Sequence, residues 1–329
     1  MSNPTLEASR DSACMICGEQ GSTIYEGLED KLFGVQGHWS VIRCENADCG
    51  LAWLSPKPSG TAIKMLYENY YTHGREARIA AVPKISNVRH SSSFIARLPR
   101  NIFGITGERE KAELMYLGDR PPGRLLDVGC GDGGRLAKFA AKGWHVHGID
   151  IDEVAIQHAR IATGLDFTIG SIETSELPCS EYDAVIMNHV LEHLERPQES
   201  LEAARRLVAP GGCLVVRVPN FDSRGRDFFG KYWRGVEVPR HFFHFSTASL
   251  NKLAAMVHME NAKIFTVNAS AEVMFTSSFM LRFGIPMDDP NRLGKVPRML
   301  SLFWQLISGL DLLLHPNKGE ECVLIWRAP

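Results

Sequence analysis

Between residues 124 and 220, short apolar runs alternate with longer stretches in which apolar positions recur every three or four residues. The runs, rich in Val, Ile and Leu, read as strands buried in a parallel sheet, and the stretches between them read as amphipathic helices. The pattern predicts strands at about 124–128, 144–149, 165–169, 182–188 and 213–219, with helices near 134–142, 153–163 and 198–208. Gly143 and Gly164 stand where helix C-termini need a left-handed residue. Farther on, 247–257 reads as a helix capped by Ser246, 262–268 as a sixth strand and 321–327 as the last. This alternation implies an α/β, doubly wound sheet that binds ligands at the C-terminal ends of its strands.

The flanks break the rhythm. A helix over 108–117 leads in and ends at Pro121-Pro122-Gly123, whereas 75–104 mixes Arg, Ser and Pro without a period and reads as a linker or mobile cover. About 50 residues separate the sixth strand from the last. Within them, 299–314 is apolar except for Ser301, Gln305, Ser308 and Asp311, which form one thin polar stripe. At about 16 residues it is shorter than the roughly 20 needed to span a bilayer. Three uses stay open for it: a cover over a substrate crevice, a homodimer contact, or a helix lying in a membrane surface. The basic flank of Arg292, Lys295 and Arg298 suits the last. The expected division is 1–74, 75–120 and 121–329, with the helical insertion at about 271–318.

The chain has 329 residues and a net charge of −2, so no global field gathers nucleic acid. Residues 1–10 lack the apolar run of a signal peptide, and a cytoplasmic protein is expected. Four of its eight cysteines make a pattern: Cys14 with Cys17, and Cys44 with Cys49, each pair followed by glycine. Two such loops read as a zinc ribbon closing a tetrahedral structural site, with His38 as a spare ligand and two disulfides as the alternative. The aromatic segment 67–73 follows, and it either packs the ribbon on the main domain or lets Tyr70 and Tyr71 close over a cofactor.

The strand at 124–128 runs into Asp127-Val128-Gly129-Cys130-Gly131-Asp132-Gly133-Gly134. Gly129, Gly131 and Gly134 satisfy the dinucleotide spacing, with Asp150 about 20 residues on. Asp127 argues against a dinucleotide, because it would repel a pyrophosphate at this turn and would welcome a cation. Asp150 ends the next strand, where a carboxylate accepts bonds from ribose hydroxyls. Here the chain resembles the class I S-adenosylmethionine-dependent methyltransferases. The resemblance continues through Tyr182–Leu194 and through Leu207–Gly212 into the strand ending at Asn220. It implies a seven-stranded Rossmann-like sheet whose last strand inserts antiparallel, and S-adenosylmethionine as cofactor held by Asp127, Gly129, Gly131, Asp150 and Asn188. Many relatives follow the third strand with an acid that binds adenine. This chain has Ser171-Ile172-Glu173 there, so adenine falls to Ser171, to backbone groups or to packing on Ile151 and Ile172, with Glu173 behind them. Methyltransferases of bacterial glycans, lipid-linked intermediates and secondary metabolites often begin with such a ribbon.

Methyl transfer to a hydroxyl needs a base to take its proton, and histidine has a suitable pKa. His189, just past the fourth strand, His193 and His241 are the candidates, with His244 behind them. The segment 227–246, with Trp233, Pro239-Arg240-His241 and Phe245-Ser246, resembles a subgroup related to quinone and glycan methyltransferases. Arg240 reads as a contact for an anionic substrate or as a salt bridge within the loop. The expected acceptor is a small molecule, a sugar or a lipid-linked compound. Methyltransferases of exocyclic base nitrogens carry Asn or Asp, then Pro-Pro and an aromatic residue, where this chain has Asn188-His189-Val190-Leu191, so no nucleic acid is expected. Two other readings remain: an NAD-dependent oxidoreductase, which Asp127 opposes, and a non-catalytic zinc-ribbon RNA-binding protein. The acids of residues 11–50 (Asp11, Glu19, Glu26, Glu29, Asp30, Glu45 and Asp48, against Lys31 and Arg43) oppose the latter.

Overall fold

A computed structural model describes residues 11–60, 105–287 and 293–329, with positions 8, 9, 62, 63 and 66. The expectations for Tyr70, Tyr71, the 75–104 linker and Arg292 lie outside the described residues. At the N-terminal end, β1 (Ala8–Ser9) pairs with β5 (Lys57–Pro58), while β2 (Gly21–Leu28), β3 (Trp39–Cys44) and β4 (Ala52–Ser55) form an antiparallel meander. After α1 (Ile105–Glu113) the chain passes through β6 (Arg124–Val128), α2 (Gly134–Ala140), β7 (His145–Asp150), α3 (Glu153–Thr163), β8 (Asp166–Ile169), β9 (Tyr182–Asn188), α4 (Pro197–Leu207) and β10 (Val208–Pro219). It continues through α5 (Arg224–Phe229), β11 (Phe243–His244), α6 (Thr247–Met256), β12 (Lys263–Val267), α7 (Ala271–Phe283), α8 (Lys295–Leu314) and β13 (Glu321–Arg327).

Seven strands form the main sheet in the order β12-β13-β10-β9-β6-β7-β8. All neighbours are parallel except β13, which inserts antiparallel between β12 and β10. This is the α/β Rossmann-like fold expected from the pattern. The chain leaves β6 toward β7 on one side and later returns to its other side as β9. That reversal opens a crevice at the strand C-terminal ends. Asp152 caps α3 by accepting from Ala155 N, and Gly164 closes it at φ 67°.

Three elements differ from the pattern. The lead-in helix ends at Glu113 because Met115 and Tyr116 take left-handed φ values of 46° and 58°. Residues 208–212, expected as a turn, are already strand, with a register shift between Val208 and Cys213. The apolar helix begins at Lys295 and has 20 residues.

The ribbon and the main sheet share one core. Trp39, Val41, Leu51, Trp53 and Leu54 belong to the same buried cluster as Leu126, Val185, Leu214, Val216 and Phe242. Each large side chain buried this way contributes roughly 1.5–3 kcal/mol. The ribbon's meander also gains a fourth strand from far along the chain: β11 pairs antiparallel with β4, Phe243 opposite Trp53 and His244 opposite Ala52.

Candidate functional site

The glycine turn sits at the reversal point of the sheet. Gly129, Gly131 and Gly133 adopt φ values of 68°, 52° and 69°, which no side chain takes cheaply. A Cβ on Gly129 would also lie 2.5 Å from Val190 Cγ2. Asp150, the last residue of β7, braces the turn: Gly131 N donates to one carboxylate oxygen at 2.9 Å and Asp152 N to the other at 3.0 Å. Each oxygen keeps a second lone pair that a ribose hydroxyl can use. Asp127, near the end of the adjacent strand, is buried, and burial pushes its pKa up to about 7; Arg135, at 4.0 Å, opposes the rise and Asp150 adds to it. The two carboxylates thus emerge side by side at one end of the sheet.

Asn188 closes β9, and its Oδ1 is buried with no partner, an acceptor that a ligand donor would satisfy. Ile151 is exposed, whereas Ile172 is packed in the core. Ser171 Oγ bonds Thr174 Oγ1 at 3.0 Å, and Glu173 accepts from Ser200 of α4, which turns it away from a ligand.

The candidate histidines differ sharply. His189, at a strained φ of 54°, is clamped by two buried acids: Nε2 lies 2.7 Å from Glu321 Oε1 and Nδ1 lies 3.3 Å from Glu192 Oε1. Burial alone would depress this imidazole, but bonds to the two carboxylates outweigh it and hold the pKa above the ordinary value. His189 is therefore an ion-paired cation with both nitrogens engaged. His193 is half-buried and its Nδ1–H donates to Arg240 O at 3.1 Å, which leaves the lone pair on Nε2. Burial lowers its pKa and keeps it neutral. His241 packs edge to face on His193 with ring centroids 4.6 Å apart and donates from Nδ1 to Gly235 O at 2.8 Å. Burial above all pushes its pKa down to about 4. His244 is buried against Phe221, with ring centroids 5.0 Å apart. Ligating atoms of Glu192, His193 and His241 lie within 4.8 Å of one another. The pattern missed Glu192 and Glu321, though an acid opening an apolar last strand is a signal, since acids are rarely buried unless paired.

Residues 105–260 match the methyltransferase-domain family model. The chain carries a class I methyltransferase domain. An uncharacterised methyltransferase of Mycobacterium tuberculosis is 39% identical over 95 residues, covering 28% of this chain and 48% of that protein. A ubiquinone biosynthesis O-methyltransferase of Maricaulis maris is 32% identical over 155 residues, covering 43% and 56%. The chain thus spans about half the length of these curated relatives. Among solved structures, Haemonchus contortus phosphoethanolamine N-methyltransferase 2 in complex with S-adenosyl-L-methionine superposes with a TM-score of 0.51 at 14% identity. It covers 93% of this chain and 71% of that one, and it shares the fold.

Beside the methyltransferase domain, the four patterned thiols of the ribbon converge. The Sγ atoms of Cys14, Cys17, Cys44 and Cys49 lie within 4.8 Å of one another, with Cys14 to Cys49 at 3.7 Å and Cys17 to Cys44 at 3.4 Å. A tetrahedron of sulfurs at zinc-ligand length has edges of about 3.8 Å, so the donor set fits zinc. Disulfides need about 2.05 Å, and all eight cysteines are free thiols. His38 stands apart, exposed beside Glu29.

Arg240 corrects an expectation. It is fully buried, donates to both oxygens of Asp30 at 2.8 and 2.9 Å and to Glu237 at 3.2 Å, and stacks on Phe33 at 4.2 Å. It thus makes the salt bridge within the loop, to Glu237, and a second one across segments, to Asp30 of the ribbon, rather than facing a substrate anion. Arg43 to Asp222 at 2.8 Å and Leu54 N to Phe242 O at 2.9 Å add to this seam. The ribbon therefore holds the same segment that carries His241 and the Arg240 carbonyl.

Proposed function

We propose that this protein transfers the methyl group of S-adenosylmethionine to a hydroxyl oxygen of a small-molecule, sugar or lipid-linked acceptor, with a structural zinc in its ribbon. The observation that carries the reading is the pair of carboxylates at the glycine turn. A dinucleotide would bring a pyrophosphate against Asp127, whereas a sulfonium and an ammonium group favour its ionised form over the neutral one. Asp150 is left to the ribose, Asn188 Oδ1 to a donor of the ligand, and Ile151 to one face of the adenine.

Transfer is an in-line displacement, so the protein's work is to align the acceptor oxygen and exclude water. His193 is the proposed base, because it is neutral and its tautomer is fixed by the Arg240 carbonyl. His241 supports that ring from its edge, and His189, paired with Glu192 and Glu321, positions the loop between them. Relatives named for ubiquinone-biosynthesis O-methylation support an oxygen acceptor.

Calorimetric titration with S-adenosylhomocysteine and with NAD tests this. The former is expected to bind and the latter not. Asp150→Ala should weaken S-adenosylhomocysteine at least about tenfold, since a bond to a charged group is worth roughly 1.5–3 kcal/mol. Binding of NAD instead, or an unchanged affinity in the variant, would overturn the assignment.

A further inference from the structure

Helix α8 is built with its polar side inward. Ser301, Gln305 and Ser308 are 2%, 1% and 3% exposed, while Met299, Phe303, Leu310, Leu313 and Leu314 are 69%, 60%, 50%, 80% and 79% exposed. Hydrogen bonds fix this orientation. Gln305 Nε2 donates to Asn268 O at 2.7 Å, and its Oε1 accepts from Arg109 and from Glu272 N, each at 3.0 Å. Asn268 Nδ2 donates to Ser308 O at 2.6 Å, and Arg224 donates twice to Asp311 at 2.7 and 2.9 Å. The helix cannot roll its apolar side inward without breaking all of these. At 100° per residue the exposed apolar positions cover roughly 160° of a helix about 30 Å long. Phe283, exposed at the end of α7, extends the apolar surface of the packed helix pair.

Cations edge this surface. Lys295 and Arg298 stand in the first turn of α8. Arg282, next to Phe283, converges with Lys31 and Lys231 on the Tyr232 ring, at 5.6, 5.0 and 5.6 Å from its centroid. Among the described residues, none of those three forms an ion pair. Of the acids in the same cleft, Glu237 is answered by Arg234 and Arg240, and Glu29 is solvent-exposed beside His38. An apolar band bordered by convergent cations and a tyrosine matches a lipid interface, with acyl chains on one side and phosphates on the other. A second copy fits less well. The only acid in α8, Asp311, is already paired with Arg224, so nothing on this face would answer the partner's cations.

We propose that α8 and Phe283 dock this protein on the surface of a bilayer containing anionic lipid, with Lys31, Lys231 and Arg282 at the headgroup phosphates. The docking is monotopic: among the described residues, no helix is long and apolar enough to cross a membrane. It is independent of the chemistry proposed above, because it is read without cofactor or acceptor.

The test is co-sedimentation of the full chain with vesicles of phosphatidylcholine, alone or mixed with phosphatidylglycerol, alongside light scattering without lipid. The chain should bind the acidic vesicles more tightly, and the affinity should fall with salt. Phe303→Ser with Leu310→Ser should cut binding to both vesicles by at least about tenfold, without shifting the melting temperature, since both side chains are exposed. Lys231→Glu with Arg282→Glu should weaken binding to the acidic vesicles by about tenfold or more, at roughly 1 kcal/mol per cation, and flatten the salt dependence. Absence of binding to either vesicle, or binding indifferent to the apolar substitutions, would overturn the proposal. So would a dimer that those substitutions dissociate in a chain that ignores vesicles.

Discussion

His189 and His193 lie four residues apart in one loop, yet their surroundings set opposite charges. Glu192 and Glu321 make His189 a cation, and burial with a carbonyl partner keeps His193 neutral. Only a neutral imidazole can take a hydroxyl proton. His193→Ala is expected to lower kcat by about 10²–10⁴-fold with little change in KM, the usual range for loss of a general base. In the wild type, a pKa below 6.5 keeps the base deprotonated at neutrality. The acid limb of kcat should therefore fall only below pH 6.5, and it should disappear in the variant. An unchanged kcat in His193→Ala, or an acid limb centred above pH 6.5, would transfer the role to another residue. His189, His193 and His241 were legible as candidates in the sequence, the first two because they follow a strand and His241 because its segment is dense in aromatic and polar groups. Their ranking was not, because it depends on Glu321, 132 residues beyond His189, and on the Arg240 carbonyl, 47 residues beyond His193.

At the scale of elements, the sheet strands were legible nearly residue by residue, since a buried parallel strand leaves an uninterrupted apolar run with few other uses. α8 shows the limit of the same reasoning. Periodicity reveals two faces, but the rule that apolar faces turn inward fails where fixed polar partners wait inside. Those partners, Arg109, Asn268 and Arg224, come from three separate segments. The arrangement predicts that Gln305→Ala is costly despite removing little apolar surface. It would remove the Gln305 acceptor of the Glu272 N–H at a nearly dry contact, whereas Arg109 keeps Glu272 and the Ala269 carbonyl and the Asn268 carbonyl keeps Ala271 N. A buried group left unpaired costs about 1–3 kcal/mol, so a loss of about 1–3 kcal/mol in urea denaturation is expected. A loss below about 1 kcal/mol would mean that the stripe does not anchor the helix.

Across the whole molecule, ribbon and methyltransferase domain act as one body built from distant segments. The Asp30 and Arg240 side chains are wholly buried where they meet, and breaking such a pair from one side costs about 3–5 kcal/mol. β11 completes the ribbon's sheet, and the carbonyl that orients His193 belongs to Arg240. The four thiolates tie the loop before β2 to the β3–β4 turn at one end of that meander, so a zinc ion there would set the acceptor side of the site from outside the Rossmann-like sheet. The cofactor side, by contrast, is held by Asp150, the glycine turn and the parallel strands themselves. Metal analysis should find one zinc per chain, and removing it by chelation or by Cys49→Ser should lower the melting temperature. Methyl transfer should fall about 10²-fold or more, the scale of an ångström-level misplacement of reacting groups. S-adenosylhomocysteine affinity should change far less, by less than about tenfold, because Asp127, Gly131 and Asp150 are held by β6, β7 and the glycine turn rather than by the ribbon. If transfer survived in a metal-free chain, the ribbon would be a separate attachment. If both functions failed together, the shared core rather than the seam would be what the zinc supports.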